Sequence, residues 1–328
     1  MDDAGRTGRA DDAAAGVPWR RLATVGGWVL LAGLLVPVAA RLLGWERGPL
    51  AYAVTVVPWI AVGALVPAAL AVLGRAWRLL AAAGATAVLC AVWAAPLYVA
   101  EPGPGEPVLT VASANLLTGR GDAAAVVAMV RERHVDVLSL QELTPEAADA
   151  LADAGLEELL PYTAAVPDAI WRGTGLWSRY PIEGWESLDG YTFHQVRARL
   201  DGPDGALTVL ALHPAAPQPW VHRAWSSETA ALVEVLDGVD GPVLAAGDLN
   251  TTRDHAVFRE LESRGFADAA DQAGAGLLPT YPVGRAVPPL VVLDHVLERD
   301  TGWVASEVAT VAIPGSDHRA IVATYARR

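Results

Sequence analysis

Residues able to bind a cation or move a proton recur where apolar runs of this sequence stop. Val111–Asn115 ends on an amide, and Val137–Glu142 ends on Gln141-Glu142. Val209–His213 ends on an imidazole, and the run from Val243 ends on Gly247-Asp248-Leu249-Asn250. Val291–Asp294 leads into Asp294-His295, and Ser316-Asp317-His318 opens the last apolar run. Strands of a buried sheet end on a common rim, so groups at such ends can converge. Carboxylate and amide oxygens suit a hard cation such as Mg²⁺, with Mn²⁺ as the alternative, and Asp and His suit proton handling. Thiol chemistry has no foothold, because the single Cys90 sits in an apolar run as a small packing residue.

Taken one at a time, these residues have plainer readings. Asn115 and Asn250 serve as turn residues after strands. Glu142 serves as a solvated strand end or a helix-start charge, and His213, before Pro214, as an exposed loop histidine. Gly247 merely permits a tight turn. Together these readings require the same accident at six strand ends.

The elements that would position these groups follow from patterning. Strands are expected over 108–114, 135–140, 175–178, 192–200, 206–212, 243–246, 290–297, 305–311 and 320–325. Helices are expected over 122–133, 145–154, 224–236 and 256–264. Paired strands mixed with crossover helices give an α/β or α+β domain of about 220 residues, enough for one large core. No internal repeat is visible.

The ordered set Asn115, Gln141-Glu142, His213-Pro214, Gly247-Asp248-Leu249-Asn250, Asp294-His295 and Ser316-Asp317-His318 resembles the endonuclease/exonuclease/phosphatase superfamily. Its members include deoxyribonucleases, repair nucleases, inositol polyphosphate phosphatases and sphingomyelinases. Further echoes are Gly175–Ile182 and Pro279-Thr280-Tyr281-Pro282. His213-Pro214 is similar to a bacterial membrane-anchored subgroup. The resemblance covers 108–328 and implies a deoxyribonuclease I-like, four-layer α/β sandwich of two mixed β-sheets flanked by helices. It also implies roles. Glu142 would be the main metal ligand, with Asn115 and Asp317 beside it. Asp248 would orient or deprotonate the attacking water, and Asn250 would hold that water or a phosphate oxygen. His318, oriented by Asp294, and His213 would contact the phosphate from two sides. Deoxyribonuclease-type members support the histidine matching His213 with a further Glu. This sequence offers no match at 160–178, where Asp168 is the nearest acidic candidate.

The first third of the chain is of another kind. Residues 1–106 hold 8 Arg and 7 acidic residues, net +1, whereas 107–328 hold 16 Arg and 30 acidic residues, net −14. Residues 1–16 lack apolar periodicity and read as a disordered tail, within a cytoplasmic segment ending at Arg21. Leu22–Ala40, Gly48–Gly74 and Leu79–Ala100 carry no charge. Each approaches or exceeds the ~20 residues that cross a bilayer, which predicts transmembrane helices over about 22–40, 50–73 and 79–100. The alternative is a buried soluble helical hairpin. Trp19, Trp45 and Trp77 mark the ends of the stretches. Arg6, Arg9, Arg20 and Arg21 precede the first stretch, and Arg75 and Arg78 separate the second from the third. That excess places the tail and second loop in the cytoplasm and the C-terminal domain outside the cell membrane. Cleavage of the first stretch as a signal peptide would still leave two spans. Glu101–Pro107 reads as a Pro/Gly linker.

These features narrow the function. A domain at −14 without Lys lacks the basic stripe of a tight nucleic-acid binder. Arg172, Arg179, Arg197, Arg199 and Arg223 read either as a local phosphate-binding surface or as solvated element ends. The expectation is a membrane-anchored phosphoesterase acting on a lipid headgroup or extracellular phosphoester. Alternatives are an extracytoplasmic nuclease and a non-catalytic, tethered binding domain. The latter would be expected to lose Glu142, Asp248 or His318, and all three are present. No Asp, Glu, Lys, Arg or His lies within the three spans, so a transporter would have no ion-coupling residue there. The implied partners are a phosphoester substrate and the bilayer, and no protein partner can be inferred.

Overall fold

The computed structural model describes residues 18–101, 105–217 and 223–328. The expected disordered tail and linker residues 102–104 lie outside the described residues. Two compact units result. One takes the described residues up to Ala39 with Val57–Trp93; the other takes Ala40–Val56 with Ala94–Arg328.

Among the described residues, three helices are long and apolar enough to cross a membrane: Trp19–Leu43, Val57–Gly74 and Trp77–Tyr98. In the first unit Leu31, Ala71, Leu79 and Ala83 form one small buried cluster, and Val38, Val57, Ile60 and Cys90 another. Leu22, Val25, Leu65, Val72, Val88 and Val92 are each more than half exposed. Helices that keep an apolar outer face suit lipid better than water. The stretch expected as one helix over 50–73 is divided, because Pro49–Val54 is a short helix of the other unit and the long apolar helix begins at Val57. Pro58 has no N–H to donate to the Val54 carbonyl, so the helix is interrupted there.

The second unit contains twelve strands among the described residues. In chain order they are β1 (Pro107–Asn115), β2 (Val137–Gln141), β3 (Tyr162–Val166) and β4 (Thr174–Ser178). Next come β5 (Ile182–Leu188), β6 (Gln195–Gly202), β7 (Gly205–Leu212) and β8 (Val243–Asp248). The last are β9 (Ala267–Asp268), β10 (Asp294–Arg299), β11 (Trp303–Ala312) and β12 (Arg319–Arg327). Two mixed six-stranded sheets form, ordered β11-β12-β1-β2-β4-β3 and β5-β6-β7-β8-β10-β9. The pairs β1–β2 and β7–β8 are parallel. The sheets pack through Val111, Val137, Val209, Leu244, Ile321 and Tyr325 among others. Helices Ala123–Glu132 and Pro145–Asp153 cover the outer face of the first sheet. Arg223–Asp237 and Ala256–Ser263 cover that of the second. This is the expected four-layer sandwich.

Parallel strands that are buried on both faces all stop at one end of the sandwich. A buried polar chain bridges the sheets beneath that end: Ser113 Oγ donates to Gln141 Oε1, Gln141 Nε2 to Ser139 Oγ, and Ser139 Oγ to the Ala246 carbonyl. Gly247 ends β8 where no side chain fits, since a Cβ there would lie 1.9 Å from the Leu212 carbonyl oxygen. Gly247→Ala is expected to destabilise the domain by about 3 kcal/mol or more, measured by denaturant unfolding, because backbone rather than a flexible side chain must move.

Ala40–Val56 is fastened to this same unit. Arg41 Nε meets Asp254 Oδ1 at 2.7 Å, and both Glu46 carboxylate oxygens accept from the Ala256 N–H at 2.8 and 2.9 Å. The Thr252 N–H donates to His255 Nδ1, so the ring's proton is on Nε2, which donates to the Ala51 carbonyl at 2.9 Å. The end of the third apolar helix is fastened too, through Glu101 N–H to the Gln272 carbonyl and Gly276 N–H to the Leu97 carbonyl.

Candidate active site

The structure brings all eight sequence-derived site residues together at the rim. Asn115 ends β1, Glu142 follows β2, His213 follows β7, and Asp248 ends β8. Asp294 starts β10, and Asp317-His318 precede β12. Glu142, His213, Asp248, Asn250, Asp317 and His318 line one cleft of about 270 Å³. Asn115 and Asp294 stand behind it as hydrogen-bonding partners.

Asp248 is the hub. Its Oδ1 accepts from the Asn250 N–H at 3.0 Å, and its Oδ2 from Asn115 Nδ2 at 3.1 Å. The same Oδ2 lies 3.7 Å from His213 Nε2 and 3.7 Å from His318 Nε2. Asn115 Nδ2 also donates to Glu142 Oε1 at 3.1 Å, while Glu142 Oε2 accepts from the Thr118 N–H at 2.6 Å. Glu142 and Asn250 both occupy the left-handed backbone region, with φ of 53° and 48°. Side chains at such positions are strained, and strain of this kind gathers at functional sites. Asn250 Nδ2 donates to the Pro214 carbonyl, tying the end of β8 to the loop after β7.

The two histidines differ in charge. Burial drives His213 down to about 4, although Asp248 pulls the other way, so it is neutral at neutral pH. Burial also opposes the charged form of His318, but Asp294 and Asp248 together outweigh it and raise it to about 10. Asp294 Oδ2 accepts from His318 Nδ1 at 2.9 Å, leaving Nε2 to face the cleft. One neutral and one cationic imidazole thus flank a single carboxylate.

Burial pushes the carboxyls of Glu142 and Asp248 upward, and Asp294 Oδ1 is buried without a hydrogen-bond partner among the described residues. A cation relieves such a set of crowded oxygens, so the donors fit a divalent ion. Ligand atoms of Asp248, Asp294 and His318 also lie within 4.8 Å of one another. A protonated imidazole has no lone pair to give, however, so the carboxylates of Glu142 and Asp317 suit an ion better than this trio does.

Asp168 does not support His213. Its carboxylate accepts from the Ile170 N–H and pairs with Arg172 at 3.2 Å, with His194 Nε2 4.0 Å away. The loop 167–173 closes on its own Asp–Arg pair, so the acid never reaches the cleft. His213 is instead held through its backbone and its ring. Gln195 accepts from the His213 N–H and donates to its carbonyl, both at 2.6 Å, and Phe193 packs on the ring at 4.2 Å. Sequence reasoning missed this clamp, as it missed Glu228, which accepts from the Thr192 and Ala215 N–H groups. Tyr281, in the Pro-Thr-Tyr-Pro segment, packs its ring against His318 at 4.9 Å, tilted by 44°.

The match to known proteins agrees with this geometry. The family model described as "Endonuclease/Exonuclease/phosphatase family" matches residues 112–318. The chain belongs to that family. No curated protein matches the sequence. Among solved structures, the endonuclease/exonuclease/phosphatase from Beutenbergia cavernae superposes with a TM-score of 0.54 at 20% identity, covering 68% of this chain and 72% of its own. D. rerio TDP2 in complex with single-strand DNA product gives 0.54 at 18%, covering 67% and 99%. The 3′ phosphatase NExo from Neisseria, bound to a product DNA hairpin, gives 0.54 at 15%, covering 66% and 98%. At these identities the likeness establishes the fold. The family is generally hydrolytic on phosphoester bonds and typically depends on a divalent metal.

Proposed function

We propose that this protein is a membrane-anchored, divalent-metal-dependent phosphoesterase whose catalytic domain lies outside the cytoplasm and acts on a lipid headgroup or small extracellular phosphoester. The observation that carries the reading is Asp248 Oδ2 held 3.7 Å from both His213 and His318, beside the strained Glu142. Glu142 and Asp317 would hold the ion, with Asn115 orienting Glu142. When bound, it would neutralise the scissile phosphate and the leaving oxygen. Asp248, its carboxyl raised by burial, orients a water and accepts its proton. The second amide hydrogen of Asn250 steadies that water or a phosphate oxygen. His318, cationic and fixed by Asp294, donates from Nε2 to a phosphate oxygen as negative charge builds. His213, neutral, supplies the matching contact from the β7 side.

The charge pattern supports a substrate other than a long nucleic acid. Arg197 and Arg199 pair with Glu186 and Glu183, Arg179 with Asp136, and Arg172 with Asp168. These arginines are committed to neighbours, as expected of solvated element ends.

Two features support the topology. Ala40–Val56 docks on the same unit as residues after 94, so these segments share one side of the bilayer, as crossings by the second and third helices require. Arg41 is neutralised by Asp254, which leaves the positive excess on the tail and on the Arg75–Arg78 turn. Protease added to intact cells is expected to remove the C-terminal domain, and protection until the membrane is opened would reverse the orientation. A panel of bis-p-nitrophenyl phosphate, phospholipid vesicles and single-stranded DNA tests the activity. Turnover of DNA alone would favour a nuclease, and turnover of none a binding domain.

A further inference from the structure

One wall of the catalytic cleft comes from the membrane-proximal chain. Tyr52 and Thr55, from the segment between the first two spans, line the same cavity as Glu142, His213, Asp248 and His318. Building on the phosphoesterase reading above, we propose that Tyr52 and Thr55 are specificity-determining residues. Their wall favours phosphodiesters that carry an apolar chain, taken from the membrane surface, over nucleotide esters.

The wall is built rather than incidental. Ala51 and Val54, on either side of Tyr52, are fully buried, and the segment is held by His255 on the Ala51 carbonyl and by Glu46 on the Ala256 N–H. Thr55 Oγ1 donates to the Tyr52 carbonyl at 2.7 Å, which closes the short helix. Between these anchors Tyr52 stays 43% exposed where it lines the cleft. Away from the carboxylates the lining is apolar, with Phe193, Tyr281, Val291 and Leu293 joining Tyr52. Arg285 is 3.9 Å from Asp317, and the chain contains no Lys to receive a second phosphate. Covalent continuity supplies the rest. Val57 opens a membrane-spanning helix two residues after Thr55, so this wall can lie no more than about 7 Å of chain from it. A wall this close along the chain to a spanning helix suits a phosphodiester whose apolar chain is held in a bilayer.

Aromatic walls also stack on bases, so the test sets the two substrate classes against each other. The full chain in nanodiscs would be assayed on three esters sharing the p-nitrophenol leaving group: hexadecyl, methyl and thymidine-5′ p-nitrophenyl phosphate. The wild type is expected to prefer the hexadecyl over the thymidine ester. Tyr52→Ala is expected to lower kcat/KM on the hexadecyl ester by about tenfold, mostly through KM. Its rate on the methyl ester should stay within about twofold, as no catalytic contact is lost. Partitioning into the nanodisc is common to both proteins, so a changed ratio reports the wall. Tyr52→Phe should keep the preference, and the melting temperature of each variant checks the fold. An unchanged hexadecyl-to-thymidine ratio in Tyr52→Ala, or a wild-type preference for the thymidine ester, would overturn the proposal while leaving the phosphoesterase reading standing. Cleavage of none of the three esters would defeat that reading, and this proposal with it.

Discussion

Asp248→Asn is expected to reduce phosphodiester hydrolysis by ~10²–10⁴-fold, the range for loss of a positioned general base. The substitution preserves volume, and Oδ1 can still accept from the Asn250 N–H. What changes is Oδ2, which would become an amide NH₂ facing Asn115 Nδ2, a donor against a donor where a 3.1 Å hydrogen bond now stands. The two histidines lose their common carboxylate as well. His318 keeps Asp294 but loses one of the two acids that hold it charged, so its pKa falls from about 10. The melting temperature should fall modestly, because the new donor–donor contact with Asn115 outweighs the relief of a carboxylate that burial disfavours. Single-turnover rates alongside a melting curve separate the two effects. A folded variant whose single-turnover rate stays within about tenfold of the wild type would remove Asp248 from the mechanism.

Glu142→Gln is expected to raise the metal concentration needed for half-maximal activity by more than the roughly 10–100-fold typical of losing a partner outside the ligand shell. Gln keeps an oxygen for the Thr118 N–H and tolerates the same backbone, but its NH₂ then faces Asn115 Nδ2, so the charge and one hydrogen bond are removed together. In chelator the variant should melt close to the wild type, since relief of a carboxyl that burial pushes upward offsets the donor–donor contact with Asn115. Added Mg²⁺ or Mn²⁺ should stabilise the wild type by mass action and the variant much less. Equal metal-induced shifts in the two proteins would place the ion elsewhere.

Much of this architecture was legible in the residues because burial and chemistry coincide there. β1, β2, β7 and β8 are apolar runs buried along most of their length, and each ends at the rim on or next to a site residue. β5 was missed for the opposite reason. It is an edge strand whose Glu183, Trp185 and Glu186 are exposed, so it carries no alternating signal. β3 is a short edge strand with only Ala164 fully buried, and β9 has two residues. The break before Val57 was hidden because Pro49–Val54 is as apolar as the span that follows. Only the docking of Ala51 on His255 separates them.

The site divides along the same line. The polar groups proposed for chemistry announced themselves by type at strand ends. Groups that hold them in place did not. Gln195 clamps His213 through its backbone, a job that any long amide near a strand start could take and that leaves no pattern. Asp168 drew attention because it was acidic and nearby in sequence, yet its partners are local. Tyr52 meets the cleft across two spans of intervening chain, a proximity that only tertiary structure supplies.

The most direct test of a single metal-dependent hydrolytic site is the rate of bis-p-nitrophenyl phosphate cleavage by the full chain in nanodiscs. It would be measured with Mg²⁺, after EDTA, and after Mg²⁺ or Mn²⁺ is restored, for wild type and Asp248→Asn side by side. The expected result is a rate abolished by EDTA, recovered with metal, and nearly absent from the variant throughout. A rate that persists both in EDTA and in Asp248→Asn would contradict the assignment of this cleft as the active site.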